Sequence, residues 1–265
     1  MFERIDRVIL PARDAAKSAE RYEREFEFAV ARRGSREIDL RIHRGETLLT
    51  LTEPAPGEPY RPLPHLHADG HVPCFNFYTH WEDMHRDWLA SRGFPTTGAM
   101  TAPHMKVCEL TDADGNVVGI CHEKPSSLFH TPSEEAVPPM FHRVLAAFLP
   151  VRDLEASIRW YTETLGLTLF NHWGDGADLK VGGGETIVTM IRMDDPTFIQ
   201  ARKAIGDRAY FSLQTARIHE AYRALAEHGA TADRCVEQDG VCRFHARSPE
   251  GWIIRITEEE RVRIG

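Results

Sequence analysis

The chain repeats itself, and this constrains its fold more than any other feature. Ile9-Leu10-Pro11-Ala12-Arg13-Asp14 returns as Phe148-Leu149-Pro150-Val151-Arg152-Asp153, displaced by 139 positions. In the same register Gly45-Glu46-Thr47-Leu48-Leu49-Thr50-Leu51 returns as Gly184-Glu185-Thr186-Ile187-Val188-Thr189-Met190. Further on, Leu89 to Gly93 matches Leu225 to Gly229, and Asp114-Gly115 matches Glu250-Gly251, both displaced by 136. Separated matches in one register mean that a whole structural unit has been copied, with a small length difference in the connection between the two registers.

Each half contains two segments with the same order of periodicities. An apolar run such as Val8-Ile9-Leu10 or Val144 to Leu149 reaches Asp14 or Asp153, whose carboxylate suits a helix start. Ala15, Ala19, Tyr22 and Phe26, or Ile158, Tyr161 and Leu165, then recur at helical spacing, with Gly166 as a stop in the second copy. Three short strand-like runs follow. The second segments open on Cys74 to Tyr78 and Tyr210 to Gln214, continue as helices over Glu82 to Ser91 and Ile218 to His228, and close on Val117 to Cys121 and Ile253 to Ile256. The unit is βαβββ, made four times. A sheet with helices on one face has to cover or curve its other face, so the expected fold is α+β: four βαβββ modules forming two curved eight-stranded mixed-sheet cups with helices outside. The expected domains are 1–125 and 141–265, two modules each, joined by a Pro- and Ser-containing linker over 126–140.

Composition narrows the function. Lys plus Arg number 32 against 40 Asp plus Glu, for a formal net charge of −8 with the signs interspersed, which disfavours nucleic acid as a partner. No apolar run approaches the roughly 20 residues of a membrane span, and Met1-Phe2-Glu3-Arg4-Ile5-Asp6 lacks the features of a signal peptide. The five cysteines include no Cys-x-x-Cys pair, so the reading is reduced thiols in a cytoplasmic protein.

The stretch Phe148-Leu149-Pro150-Val151-Arg152-Asp153-Leu154-Glu155-Ala156-Ser157-Ile158-Arg159-Trp160-Tyr161-Thr162-Glu163-Thr164-Leu165-Gly166-Leu167 resembles the module opening of the vicinal oxygen chelate superfamily. That group includes glyoxalase I, bleomycin-resistance proteins, fosfomycin-modifying enzymes and extradiol ring-cleaving dioxygenases. Asp112 to Ile120 and Ser248 to Ile256 are similar to its closing strand. The resemblance implies metal-ligand positions at Arg7, Thr50, Cys74 and Gly119 in the first half, and at Ala146, Thr189, Tyr210 and Arg255 in the second. None of these is His, Asp or Glu, whereas a divalent metal of this class takes about three such side chains. Arg7 and Arg255 would add positive charge to a cation site. A shift of one residue along a strand changes the face, and Asp6, Glu53 and His71 lie near enough in sequence to restore part of a metal set.

Outside these positions, the loop His65-Leu66-His67-Ala68-Asp69-Gly70-His71 is either a metal clamp or a polar connection. Cys74 is either a nucleophile or a packed thiol. Arg7 and Arg255 either grip a ligand carboxylate or phosphate, or form internal ion pairs with a cup residue such as Glu109. Trp81, Trp88, Trp160 and Phe26 are expected to pack helices onto sheets, whereas Trp173 sits in a turn at a cup rim, facing a ligand.

The expectation is a small-molecule-binding protein without the usual metal, working by sequestration or by metal-independent chemistry. Its ligand is an organic molecule, neutral or anionic, touching Arg7, Thr50, Cys74, Thr189, Tyr210, Arg255 and Trp173. No catalytic residue is assigned and no cofactor is expected. The alternatives are a metal-dependent lyase or extradiol dioxygenase, or a chain in which one half only supports the other or a homodimer interface.

Overall fold

The computed structural model describes residues 1–67, 72–238 and 240–258. The first module comprises β1 (Arg4–Pro11), α1 (Ala15–Phe26), β2 (Ala29–Arg33), β3 (Glu37–Arg41) and β4 (Leu48–Thr52). The second comprises β5 (Phe75–Tyr78), α2 (Arg86–Ser91), β6 (Met100–Thr101), β7 (Met105–Thr111) and β8 (Val117–Glu123). In the third are β9 (Arg143–Val151), α3 (Leu154–Glu163), β10 (Thr168–His172), β11 (Gly176–Lys180) and β12 (Ile187–Arg192). After α4 (Asp195–Ile205), the fourth comprises β13 (Phe211–Thr215), α5 (Ile218–Glu227), β14 (Thr231–Ala232), β15 (Val236–Gln238), β16 (Val241–Arg247) and β17 (Ile253–Glu258).

The helix starts follow from the sequence. Asp14 accepts from the Lys17 amide at 3.1 Å and Asp153 from the Ala156 amide at 2.9 Å, each satisfying an orphan donor of the first turn. Helix α4 was not expected. It occupies the connection whose counterpart in the first half is the proline-rich stretch after β4, and it starts because Asp194 accepts from the Thr197 amide and Pro196 suits the first turn. Helix α2 begins at Arg86, later than Glu82, because Met84 and His85 adopt left-handed backbone angles that no helix contains. This leaves Trp81 in a turn, its indole donating to the Pro138 carbonyl at 3.1 Å.

The sheets cross the halves. One runs β14-β16-β17-β13-β1-β4-β3-β2, with β15 added on β16, and the other runs β10-β11-β12-β9-β5-β8-β7-β6. The seams are the antiparallel pairs β1 with β13 and β5 with β9. The first cup therefore takes modules one and four, and the second takes modules two and three. Residues 1–125 and 141–265 each contribute one module to either cup, an arrangement that the lengths of the connections permit and that sequence did not decide. Alternate side chains on each strand, such as Val8 and Leu10, Leu49 and Leu51, or Phe75 and Phe77, enter one apolar core with the helices. The other set lines the cups.

The matched Gly-Glu-Thr turns meet at the pseudo-twofold axis. The Glu46 amide donates to the Glu185 carboxylate at 2.7 Å, the Glu185 amide donates to the Glu46 carboxylate at 2.8 Å, and the Thr47 and Thr186 hydroxyls are 2.8 Å apart. Each turn glycine packs on the other copy's arginine. A Cβ on Gly45 would lie 3.0 Å from the Arg143 Cβ, and one on Gly184 would lie 2.5 Å from the Arg4 Cβ. Gly184→Ala is therefore expected to destabilise the protein by about 2 kcal/mol through forced separation of backbones. Gly183→Ala, with nothing within 4 Å of its added carbon, serves as the neutral control in the same denaturant titrations.

The Asp-Gly and Glu-Gly matches have a similar explanation. Asp114 accepts from the Arg13 amide and the Ser18 hydroxyl, and Glu250 accepts from the Arg152 amide and the Ser157 hydroxyl. Each carboxylate ties the second module of its half to the helix start of the first. Gly115 and Gly251 provide the positive φ of 88° and 87° that these turns require.

Candidate functional site

The structure divides the expected ligand residues among three places. Arg7, Thr50 and Arg255 line the first cup. Thr189 lines the second, with Trp173 at its rim. Cys74 and Tyr210 are in neither: both precede their strands and are fully buried in the apolar core, where the Tyr210 hydroxyl donates to the Phe148 carbonyl at 2.5 Å. Burial pushes the Cys74 thiol well above its ordinary range, which corrects the reading of this cysteine as a ligand-facing or nucleophilic residue.

A carboxylate pair missing from the expected set organises both cups. Asp39 and Asp178 are related by the same offset of 139, and each accepts from the matching threonine, Thr50 Oγ1 to Asp39 at 2.7 Å and Thr189 Oγ1 to Asp178 at 2.8 Å. The signal was available in the sequence: both aspartates hold inward positions of a strand pattern, Glu37-Ile38-Asp39-Leu40 and Gly176-Ala177-Asp178-Leu179. Their surroundings differ.

In the first cup Asp39 is neutralised. Burial pushes its carboxyl up, but Arg7, the Thr50 hydroxyl and Arg32 outweigh burial and hold it below the ordinary aspartate range. Arg32 Nε is 2.7 Å from Asp39, and Arg7 Nε is 3.4 Å away. Arg7 also donates to Asp6, which accepts from the hydroxyls of Ser212 at 2.5 Å and Thr257 at 2.9 Å. A bulge between Ile5 and Arg7 allows both neighbours to reach the polar interior. Glu37 receives Arg255 Nη1 and Arg243 Nη1, each at 3.1 Å. Arg7 and Arg255 are thus in internal ion pairs, with Asp6, Asp39 and Glu37 and not with Glu109, which lies in the other cup.

This network does not fill the first cup. Beyond Arg255 a cavity of about 250 Å³ opens beneath the proline-rich stretch, lined among others by Ile9, Arg36, Tyr60, Leu63 and Arg208. Arg208 fixes that stretch by donating to the carbonyls of Arg61 and Pro62, while its other N–H groups reach the Ala204 and Ile205 carbonyls at the end of α4. Arg255 is 8 % exposed, and its Nε meets no acceptor among the described residues.

In the second cup six of the first cup's charged positions hold uncharged residues. Where the first has Asp6, Arg7, Arg32 and Glu37, the second has Leu145, Ala146, Asn171 and Gly176; where the first has Arg243 and Arg255, the second has Val107 and Gly119. Asp178 keeps the Thr189 hydroxyl and the Asn171 amide, at 2.8 and 3.2 Å, but no cation pairs with it among the described residues. Burial pushes its carboxyl up to about 6.

Residues 141–256 match the family model of the Glyoxalase/Bleomycin resistance protein/Dioxygenase superfamily. The second half of the chain, residues 141–256, belongs to this superfamily. That half carries the sequence match, and the whole chain carries the fold. It is similar to glyoxalase I from Zea mays, with 15% identity over 96% of this chain and 92% of that one and a TM-score of 0.65. It is also similar to a Bacillus subtilis protein provisionally named a dioxygenase, with 11% identity over 98% and 86% of the two chains and a TM-score of 0.70. At these identities the likeness shows the fold alone. No curated protein matches the chain.

The superfamily's metal chemistry needs about three His or carboxylate donors at one point. Among the described residues no three His, Cys, Asp or Glu side chains form such a group. Asp6, Glu37 and Asp39 are each held by guanidinium, and the ligand positions of the second cup include Ala146 and Gly119. The described residues therefore bring no such set of donors together in either cup. Of the histidine loop, His65 is 2.9 Å from Glu109, and His71 lies outside the described residues.

Proposed function

We propose that the chain binds a small organic anion at the mouth of the first cup without a metal, as a sequestering protein or as a scaffold for chemistry by positioned polar groups. Arg255 carries this reading. It is a buried guanidinium with one carboxylate partner and an unmet Nε, set against a cavity. A buried N–H without an acceptor costs free energy that a ligand oxygen would recover. Burial weakens the charged form of Arg255, so an added carboxylate or phosphate stabilises it, and the planar fork suits either group. Arg36 and Arg208 add positive charge at the mouth, where they donate to backbone carbonyls. Ile9, Leu63 and Tyr60 supply surface for an apolar body.

The test is calorimetric titration of chelator-treated protein with benzoate and phenyl phosphate. At least one is expected to bind, and Arg255→Met to weaken it about tenfold or more. The variant should fold normally, because Glu37 keeps Arg243 and Arg32. Binding that is unchanged by Arg255→Met, absent for both acids, or restored only by added metal overturns the proposal.

A further inference from the structure

The second cup carries an electrostatic sign opposite to that of the first. We infer that it is a separate site for a small organic cation, an ammonium on an apolar or aromatic body, with Asp178 as its charged contact and Trp173 as its wall. This does not depend on the anion site in the first cup.

The first observation is a set of buried carboxyls: Asp178, which has two neutral donors and no ion-pair partner among the described residues, and Glu123 and Glu109, which have oxygens without a donor there. Asp178 is 3 % exposed and Glu123 1 % exposed. Glu123 Oε1 receives only the Cys121 thiol, at 2.9 Å, and Oε2 receives nothing among the described residues. Glu109 Oε1 also lacks a hydrogen-bond partner there, while His65 Nδ1 is 2.9 Å from Oε2. Of the charged groups on the strands of this cup, Glu123 on β8 acts on Asp178; the others are Glu109 on β7, Arg143 on β9 and, two residues along the same strand, Lys180 on β11. Arg143 donates to the carbonyls of Val144 and Glu185, its guanidinium lies over the Tyr78 ring, and it interacts electrostatically with Glu123 without forming an ion pair. Lys180 is exposed at the rim, its ammonium 3.9 Å above the Phe170 ring. His130 is engaged with the Glu123 carbonyl. Carboxyls removed from water without a cation are costly to ionise, and an ammonium ligand would supply both the charge and the donors.

The second observation is the apolar and aromatic lining left by the missing charges. Tyr78, Cys121, Leu145, Ala146 and Ile187 form a cluster of their own, with Met105, Val107, Phe129 and Phe148 partly buried against it. A Cβ on Gly176 would lie 2.2 Å from the Trp173 indole, so the ring covers the position that Glu37 fills in the first cup. Trp173 is 47 % exposed. A concave face with aromatic rings and buried acids selects ammonium over carboxylate, since ring faces attract cations and the acids repel anions.

The probes are phenethylammonium and cyclohexylammonium, with benzoate as the counter-probe. Calorimetry at about pH 8 is expected to show binding of at least one amine. Asp178→Asn should weaken it about tenfold or more, and Trp173→Ala, at an exposed position, should also weaken it. Affinity should fall at about pH 5, where Asp178 is protonated. Arg255→Met should leave amine binding unchanged, and Asp178→Asn should leave benzoate binding unchanged, so the two sites stand or fall separately. The proposal is overturned if neither amine binds in the millimolar range, or if Asp178→Asn binds the amine as well as wild type does.

Discussion

Arg7→Met is expected to destabilise the protein by about 3 kcal/mol, the range for breaking a buried ion pair by removing one partner. The loss falls on Asp6. Asp39 retains Arg32 at 2.7 Å, but Asp6 is left with two hydroxyl donors and only the more distant charge of Arg255. The second cup suggests the repair, because Leu145 and Ala146 occupy the matching positions there. Changing Asp6→Leu together with Arg7→Met should recover most of the loss in urea unfolding, since removing a whole buried pair in favour of apolar packing is often neutral. A single variant within about 1 kcal/mol of wild type would show that Arg7 is not holding the cup together.

Asp178→Asn is expected to act in the opposite direction. The folded carboxyl titrates near 6 and an ordinary one near 3.8, so the folded chain holds a proton that the unfolded chain has released. The stability from this group is fully present below about pH 3.8 and is lost as pH rises through about 6. At neutral pH the buried charge costs on the order of 3 kcal/mol. The asparagine cannot ionise and keeps an oxygen for Thr189. The variant should therefore gain on wild type as pH rises from about 4 to about 7, reaching a gain of about 2–3 kcal/mol in paired urea titrations. A stability difference that is flat with pH would sink this assignment. A variant that is more stable yet binds amines more weakly also separates lost recognition from lost folding.

The scaffold was legible because duplication turns similarity into structure. Turn, cap and strand residues such as Asp14 with Asp153 or Gly115 with Gly251 recur for local reasons that hold in both halves. Module pairing was not legible, because a strand pattern records which face is buried and not which edge it meets. Helix α4 was missed for lack of a repeat counterpart, although Asp194 and Pro196 marked its start. The cup interiors were half legible. Arg7, Thr50, Thr189 and Arg255 do face the cups, whereas Cys74 and Tyr210 lie one position outside their strands and turn into the core. Asp39 and Asp178 lie on β3 and β11, strands that hold none of the superfamily's ligand positions, so only their shared offset and inward phase mark them.

The seams between β1 and β13 and between β5 and β9 have a consequence for how such a chain arises. A half-length polypeptide contains one module of each cup and cannot complete either, so it would have to pair with a second copy of itself, clasping through the same glutamate turns. In that ancestor both cups would be identical by symmetry, and any substitution in one would appear in the other. Fusion into a single polypeptide removes this coupling. Each cup then changes independently, and one can retain its arginines while its twin loses them.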